Sequence, residues 1–416
     1  MTSNGRMSVL QATPSETSRD ILSARSKSDN LFRILKPETI YQRPIAERHR
    51  VIFYAGHLDA FDSIQVCREG LGLKSPDPEL DQLFQAGIDP DSSHLPTDRP
   101  SDWPSLERVS AYVRRCRQRV DENLDRAPND SVQMALEHRL MHLETLAYMF
   151  HNFPHEAKIA PTGLAEGRAE TNPLQGEEWR EIPAGDALLG KPEDDVFGWD
   201  NEYCEVREFV PAFRMQRFAV TNGEYLRFVK EGAPMPHFWV RNASRLEYRG
   251  MFANIPLPLT WPAYVTQAEA ESYAAWLGRS LPSEAQFHRA AYGSRTEETF
   301  PFPWGGEQPS AACGNFDFKR WDPESVAASP AGDSAFGVRQ LVGNGWEWTR
   351  TPFGPFPGFR ERPAYPGYSA NFFDGAHYVL KGGSARTASQ LLRRSFRNWF
   401  RRDYSYMYAK FRCIEN

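Results

Sequence analysis

The chain has 416 residues, of which 40% are hydrophobic and 25% are charged, and its formal net charge is −5. This length and composition are those of a globular protein with two or three domains, and the mild negative charge gives no reason to expect a nucleic-acid partner. No apolar run approaches the roughly 20 residues that a membrane-spanning helix needs, so no membrane partner is expected either.

The first part of the chain is predicted to be helical. Residues 1–29 are polar and lack the apolar stretch of a signal peptide, and they are predicted to form a disordered tail. Between residues 30 and 160, apolar side chains recur at helical intervals, which predicts helices over 45–69, 105–124 and 132–150. Helices joined by polar, proline-containing connections indicate a helical bundle.

The composition changes near residue 160. Residues 161–189 are rich in Gly, Glu and Pro and are predicted to be a linker, which leaves 190–416 as a second domain. Its pattern predicts short strands over 204–210, 213–220 and 377–381, and helices over 222–230 and 266–278. The expected fold class is therefore α+β, with a helical bundle followed by a strand-rich domain.

The helix predicted over 132–150 carries a pair of histidines. His138 and His142 lie four residues apart and so share one helix face, which is a standard way to offer two imidazoles to one metal ion. His57, on an earlier helix with apolar neighbours, can reach the same ion if the helices face each other in a bundle. The alternative is that each ring is buried and bonded to a carbonyl. Three histidines with open coordination positions suit catalytic zinc or non-haem iron, and the residues do not choose between them.

Several other polar residues near this helix have less distinctive patterns. Glu144 follows His142 by two positions and either supports a metal-bound imidazole from behind or belongs to a solvated face. His151 and His155 follow the predicted helix end, and surface loop positions are expected for both. The cysteines stand singly, without a CxxC pair, which favours a reducing cytoplasm over a disulfide framework. They are Cys67, Cys116, Cys204, Cys313 and Cys413.

Five phrases in the second half form an ordered set, at 217–225, 279–287, 341–349, 381–384 and 395–400. Each alone could be a turn with a packed aromatic side chain. Together, their order and spacing resemble the formylglycine-generating-enzyme/sulfatase-modifying domain, which has a C-type-lectin-like fold, over residues 190–416. Those enzymes depend on a cysteine pair just after the Gly-Gly-Ser phrase. Residues 384–390 contain no cysteine, so the resemblance does not extend to sulfatase activation.

The whole arrangement, from residue 30 to 416, resembles the iron(II)-dependent sulfoxide synthases of ergothioneine biosynthesis and the similar selenoneine synthases. The likeness consists of a DinB-like bundle with one early histidine and a later HxxxHxE, followed by the lectin-like domain. It implies that His57, His138 and His142 bind Fe(II). It also implies that dioxygen and a selenosugar or thiol donor are used to form a C–Se or C–S bond at C2 of the imidazole of hercynine, the betaine of histidine.

The resemblance also implies a substrate pocket. Asn398 and Trp399 match positions that line the hercynine pocket, and Met141 borders it from the metal-bearing helix. Phe400, directly after this pair, completes the expected substrate-binding set. A quaternary ammonium is well held by aromatic faces. Tyr365 and Tyr368 lie in the loop that corresponds to the active-site tyrosine of the family, although each is as readily explained by packing.

Two positions depart from the family pattern. Many bacterial ergothioneine synthases carry Gln where this chain has Met141, and those that take γ-glutamylcysteine carry Asp where it has Phe400. The departures favour the selenoneine branch, with a selenosugar donor. The alternative is an ergothioneine sulfoxide synthase that uses cysteine or γ-glutamylcysteine. A metal-free lectin-like binding module and a metallohydrolase or thiol transferase are hypotheses from other classes.

Overall fold

The computed structural model describes residues 16–85, 95–162, 172–174, 176–194, 196–243 and 245–416. The N-terminal part is helical, as predicted. A π-helical segment, Ile64–Glu69, continues the second helix without a break. The helices of this part are α1 (Glu16–Phe32), α2 (Val51–Ser63), α3 (Pro78–Phe84), α4 (Leu106–Asp121) and α5 (Asn129–His151).

Helix α5 is the centre of the bundle. It packs against α1 and α2. Most of its side chains are buried, and the buried residues lie on more than one face of the helix. Helix α2 is almost entirely buried and packs against α3 and α4 as well. The Ser105 side chain accepts a hydrogen bond from the Arg108 N–H and so caps α4. Helices buried on several sides carry apolar residues all round, which is why they were recognisable from the sequence.

The prediction of a disordered tail over residues 1–29 is wrong from Glu16 onward, because α1 begins there. Ile21 and Ala24 are buried in the bundle. The same helix also buries polar groups, since the Ser28 hydroxyl accepts a hydrogen bond from Arg139 at 3.0 Å. A polar side chain whose partner lies more than 100 residues away leaves no hydrophobic pattern, and the sequence therefore looked like a tail. Residues 1–15 lie outside the described part of the chain.

The C-terminal part combines small sheets with helices α6 (Asn222–Lys230), α7 (Gln267–Trp276) and α8 (Glu284–Tyr292). Its strands fall into sheets of order β1-β4-β12, β10-β9-β8-β11, β2-β3 and β5-β6-β7, antiparallel except where β11 pairs with β8. The strands are β1 (Trp179–Ile182), β2 (Gly185–Leu189), β3 (Val206–Val210), β4 (Phe213–Gln216), β5 (Trp239–Asn242), β6 (Arg245–Arg249), β7 (Asn254–Pro256), β8 (Trp346–Pro352), β9 (His377–Lys381), β10 (Asn398–Arg401), β11 (Ala409–Lys410) and β12 (Ile414–Glu415).

The linker predicted over 161–189 is wrong at its C-terminal end, where β1 and β2 lie. Strand β1 pairs with β4, which in turn pairs with β12 at the end of the chain. These pairings are fixed by partners that are distant in sequence, so the local composition, rich in Glu and Gly, hid the strands. The predicted strand 377–381 coincides with β9.

The C-terminal end of α5 is enclosed by the second part of the chain. His151 is buried, not on a surface loop as predicted, and its ring bonds the Tyr408 hydroxyl at 3.1 Å and the Arg249 carbonyl at 2.8 Å. His155 contacts the Gly250 carbonyl at 3.0 Å. Helix α5 is thus held by both parts of the chain. Within the described ranges, no helix is both long and apolar enough to cross a membrane.

Candidate metal centre and substrate pocket

Three imidazoles from two helices meet at one buried point. His57 lies on α2, and His138 and His142 lie one turn apart on α5. The Nε2 atom of His142 is 3.2 Å from Nε2 of His57 and 3.1 Å from Nε2 of His138. One ring nitrogen from each of the three residues lies within 4.8 Å of the others. The structure therefore brings together the three histidines that the sequence singled out.

The spacing of these nitrogens fits a shared cation. Nitrogens bound to one ion at about 2.1 Å, at angles between tetrahedral and right-angled, are separated by roughly 3.0–3.4 Å. The Nδ1–H of His57 donates to the Phe84 carbonyl at 2.6 Å, which leaves the Nε2 lone pair directed at the other two rings. A proton on Nε2 of His142 can bond the other two nitrogens, but it then occupies the lone pair of His142 itself. A metal ion satisfies all three.

The electrostatics keep these rings in the form that binds metal. Burial, the largest effect, lowers the pKa of His57 to about 4 and brings the pKa values of His138 and His142 well below the ordinary range. All three imidazoles are therefore neutral at pH 7. Apolar rings line the site, since Phe61 stacks on His138 with centroids 3.5 Å apart and Phe53 stacks on His57 at 4.9 Å.

Two tyrosines stand beside the histidines. The ring of Tyr365 is 6.3 Å from that of His138, and Tyr368 is 5.6 Å from Tyr365. The Tyr368 hydroxyl donates to the sulfur of Met141 at 3.2 Å. Burial, reinforced by the nearby carboxylates of Glu202 and Asp200, raises the pKa of Tyr368 far above its usual value, so this hydroxyl keeps its proton. The predicted pocket residues of α5 and of this loop are thus in contact.

Strand β10 places Trp399 next to these tyrosines. The indole is stacked on Phe353, with centroids 4.3 Å apart and planes 5° from parallel, and its ring lies 5.3 Å from that of Tyr368. The side-chain oxygen of Asn398 accepts a hydrogen bond from the backbone N–H of Trp399 at 2.9 Å. Both residues are half-buried. The rings therefore follow one another in the order Tyr365, Tyr368 and Trp399, and together they form an aromatic wall beside the histidines.

Phe400 lies on the other face of β10, as strand alternation requires. Its ring packs 4.9 Å from Tyr404 and 6.3 Å from Tyr148, a residue of α5. The Tyr404 hydroxyl accepts a hydrogen bond from Arg48 at 3.1 Å. Phe400 thus belongs to an aromatic cluster between the two parts of the chain, on the opposite side of the strand from Trp399.

The role predicted for Glu144, as a support for a metal-bound imidazole, is wrong. This buried carboxylate accepts hydrogen bonds from Trp346 Nε1 at 2.8 Å, from the Thr387 hydroxyl at 2.7 Å and from the Ser384 hydroxyl. All three donors belong to the second part of the chain. The helical twist turns Glu144 away from the histidine face of α5, so it ties the two parts together instead.

Sequence reasoning missed a second carboxylate on the same helix. Glu137 accepts a hydrogen bond from Trp199 Nε1 at 2.8 Å and a bidentate ion pair from Arg393 at 2.7 and 2.9 Å. Its position directly before His138, seven residues from Glu144, places both carboxylates on one face of α5. The spacing of two acidic residues by seven positions, which places them on one face of a largely apolar helix, was the available signal.

Comparison with known proteins identifies the family. Residues 165–416 match the model of the sulfatase-modifying factor enzyme 1-like domain. Over 359 residues, the chain is 34% identical to the hercynine oxygenase of Mycolicibacterium thermoresistibile, an alignment that covers 78% of this chain and 77% of that protein. The chain belongs to the hercynine oxygenase family. As a member of this family it is an enzyme, an oxidative synthase.

Other hercynine oxygenase relatives cover still more of the chain. The hercynine oxygenase of Mycolicibacterium smegmatis is 31% identical, over 85% of this chain and 90% of that protein. Ergothioneine biosynthesis protein 1 of Neurospora crassa is 26% identical over 92% of this chain, which spans only 56% of that longer protein. The similarity therefore extends through both the helical part and the strand-rich part.

Proposed function

We propose that this protein forms a bond between a sulfur or selenium donor and C2 of the hercynine imidazole, in a reaction that requires Fe(II) and dioxygen. The observation that carries the proposal is the convergence of His57, His138 and His142 beside the aromatic wall of Tyr368 and Trp399. A buried cation site next to an aromatic surface matches a substrate that has both an imidazole and a trimethylammonium group. The reaction is that expected for the hercynine oxygenase family.

We assign Fe(II) to the three histidines. Three neutral imidazoles leave coordination positions open for other ligands, which suits non-haem iron and catalytic zinc alike. Iron is favoured because the relatives are oxygenases by name, and zinc has no redox chemistry. Bound iron would supply the activation of dioxygen. The contribution of the chain is to fix the geometry of the three nitrogens within a dry, apolar shell that includes Phe53 and Phe61.

The pocket residues would bind and orient hercynine. The ring face of Trp399 that is turned away from Phe353, or that of Tyr368 turned away from Trp199, would hold the trimethylammonium group by cation–π attraction. Asn398, whose amide nitrogen is not used in its contact with Trp399, would donate to the substrate carboxylate. The Tyr368 or Tyr365 hydroxyl would supply a hydrogen bond or proton to the reacting atoms, since burial keeps Tyr368 protonated. Placing both reactants at one centre removes much of the entropic barrier.

For the donor, we prefer a selenosugar. Phe400 lies in an aromatic cluster and contributes no carboxylate that could pair with the ammonium group of an amino-acid donor. Met141, which receives the Tyr368 hydroxyl, likewise offers no amide. The second candidate is an ergothioneine sulfoxide synthase that uses cysteine or γ-glutamylcysteine, and the names of the relatives favour this sulfur branch. The dispersed cysteines suit a reducing cytoplasm for either reaction.

A competition assay tests both parts of the proposal. The protein, reconstituted anaerobically with Fe(II), would receive hercynine together with cysteine, γ-glutamylcysteine and a selenosugar, and the reaction would start on admission of air. Mass spectrometry should detect a hercynine adduct that carries selenium. A sulfur adduct would establish the second candidate instead. No hercynine adduct with any donor, despite stoichiometric iron, would refute the proposed function.

A further inference from the structure

Trp199 connects helix α5, which carries His138 and His142, with the two tyrosines of the aromatic wall. Its side chain is 1% exposed, and its indole N–H donates to the Glu137 carboxylate at 2.8 Å. Glu137 immediately precedes His138 on α5, so this hydrogen bond anchors the indole next to a metal ligand. The two residues are 62 positions apart in the chain, and one belongs to each part of the fold.

An ion network of Glu137, Glu202 and Arg393 holds this hydrogen bond in place. Arg393 forms a bidentate pair with Glu137 and also donates to both oxygens of Glu202, with Nε 2.7 Å from one of them. The same Glu202 carboxylate accepts the backbone N–H of Trp199 at 2.8 Å and the Ser395 hydroxyl at 2.7 Å. Trp199 is therefore held at both its backbone and its indole nitrogen. Charged hydrogen bonds in a buried site are short and directional, so the indole has little freedom.

The ring of the same indole contacts Tyr365 and Tyr368. Trp199 stacks on Tyr368 with ring centroids 4.1 Å apart and planes 26° from parallel, and it meets Tyr365 edge to face at 6.4 Å. Tyr368 in turn contacts Trp399 at 5.3 Å. Each tyrosine of the wall therefore packs against one indole, and that indole is bonded to the helix that carries His138 and His142.

We propose that Trp199 is a positioning residue that sets the tyrosine wall of the pocket relative to the three histidines. This inference rests on the proposed function, under which the substrate would lie between those two features. Glu137 and Arg393 locate the indole, and the indole locates Tyr365 and Tyr368. A displacement of about 1 Å in a reacting group lowers a rate by roughly 100-fold, so even a small rotation of the wall has a large effect.

The chain offers a matched control for a purely structural role. Trp346 is equally buried, at 2% exposure, and its indole N–H donates at 2.8 Å to Glu144, which lies on the same face of α5 as Glu137. Its ring packs against Phe396, with centroids 6.1 Å apart, and it makes no ring contact with Tyr365 or Tyr368 in the described part of the chain. Trp199→Phe and Trp346→Phe each delete one buried indole-to-carboxylate hydrogen bond, and only the first touches the wall.

The experiment compares these two variants with the wild-type holoenzyme. Both should lose similar thermal stability and both should retain one iron per chain after anaerobic reconstitution. Trp199→Phe should lower kcat for hercynine-dependent oxygen uptake by about 10–100-fold. It should also weaken hercynine binding to the iron-free protein, measured by calorimetry. Trp346→Phe should change both quantities by less than about threefold, within the scatter of an independent site.

The possible failures are distinguishable. If wild-type protein turns over hercynine and the two variants are equally active and bind hercynine equally well, Trp199 has no positioning role and the inference is overturned alone. If wild-type protein neither binds hercynine nor consumes oxygen with it, the proposed function fails and the inference fails with it. If Trp199→Phe does not fold, Trp199→His, which keeps a ring and an N–H, must restore folding and part of kcat. A Trp346→Phe variant that folds but is inactive would also contradict the proposal.

Discussion

The Nε2 atoms of His57 and His142 lie 3.2 Å apart, although the residues are separated by 85 positions and belong to different helices. Two neutral imidazole nitrogens this close either share a proton or face a cation. Nε2 of His138 is also 3.1 Å from Nε2 of His142, so a single cation at this point can accept a lone pair from all three rings. The fold has placed three lone pairs around one point, and the chemistry of the site follows from that placement.

Removal of one of these rings should abolish iron binding. We expect His138→Ala to retain its fold but to hold no stoichiometric iron after anaerobic reconstitution, because two imidazoles bind Fe(II) too weakly to survive desalting. Metal analysis of the desalted protein measures this. His151→Ala is the matched control, since His151 is a buried histidine of the same helix that bonds Tyr408 and the Arg249 carbonyl. It should keep its iron, and a loss of iron from both variants would contradict the assignment.

Asn398→Ala should affect hercynine without affecting the metal. Asn398 lies on β10 next to Trp399, and its side-chain oxygen accepts a hydrogen bond from the backbone N–H of Trp399. We expect the KM for hercynine to rise by roughly tenfold, the value of one hydrogen bond to a charged group, while iron content stays unchanged. Steady-state oxygen uptake at varied hercynine concentration gives the KM. An unchanged KM would remove Asn398 from the substrate site.

Glu144→Ala should destabilise the protein, because the two parts of the chain are tied there. The substitution leaves the buried donors of Trp346, Ser384 and Thr387 without their acceptor. We expect the free energy of unfolding to fall by about 2–4 kcal/mol, measured by denaturant titration. Glu79→Ala breaks only an exposed ion pair with Arg108 and should cost about 0–1 kcal/mol. Equal losses in the two variants would disprove the buried tie.

Stability should depend on pH through Lys158, whose buried amine donates to the carbonyl of His151 at the C-terminal end of α5. Burial, followed by the nearby charge of Arg249, lowers the pKa of this amine from 10.5 to about 7. Between these values, the unfolded chain binds a proton that the folded chain does not, so the free energy of unfolding rises with pH across this window. Lys158→Met should remove up to about 1.4 kcal/mol per pH unit of this slope. Lys230→Met, at an exposed position of α6, should leave the slope unchanged, and a wild-type slope in Lys158→Met would contradict the assignment.

Much of this structure was predictable because its signals are local. Helix α5 was expected over 132–150 and spans Asn129–His151, and strand β9 coincides with its predicted range. The histidine pair of α5 is a spacing within one helix, which a sequence displays directly. The helices predicted from 105 and 266 do begin there, because the side chains of Ser105 and Thr266 each accept a hydrogen bond from the N–H three residues ahead. These features require no knowledge of what lies across the fold.

Three features that escaped prediction depend on distant partners. The sequence suggested Glu144 as a support for the metal ligands, yet its side chain binds donors more than 200 residues away. Helix α1 looked like a tail because its polar residues are paired only in the folded bundle. The contact of Trp199 with Glu137 joins residues that are 62 positions apart in the chain. Burial and pairing of polar groups are properties of the tertiary fold, and a hydrophobic pattern does not record them.

Oxygen uptake by the reconstituted protein tests the central claim most directly. Wild-type protein carrying one Fe(II) per chain should consume dioxygen only when both hercynine and a selenium or sulfur donor are present, and His138→Ala should consume none under the same conditions. Iron-loaded wild-type protein with no hercynine-dependent uptake, or His138→Ala with uptake equal to that of the wild type, would contradict a three-histidine iron centre that acts on hercynine.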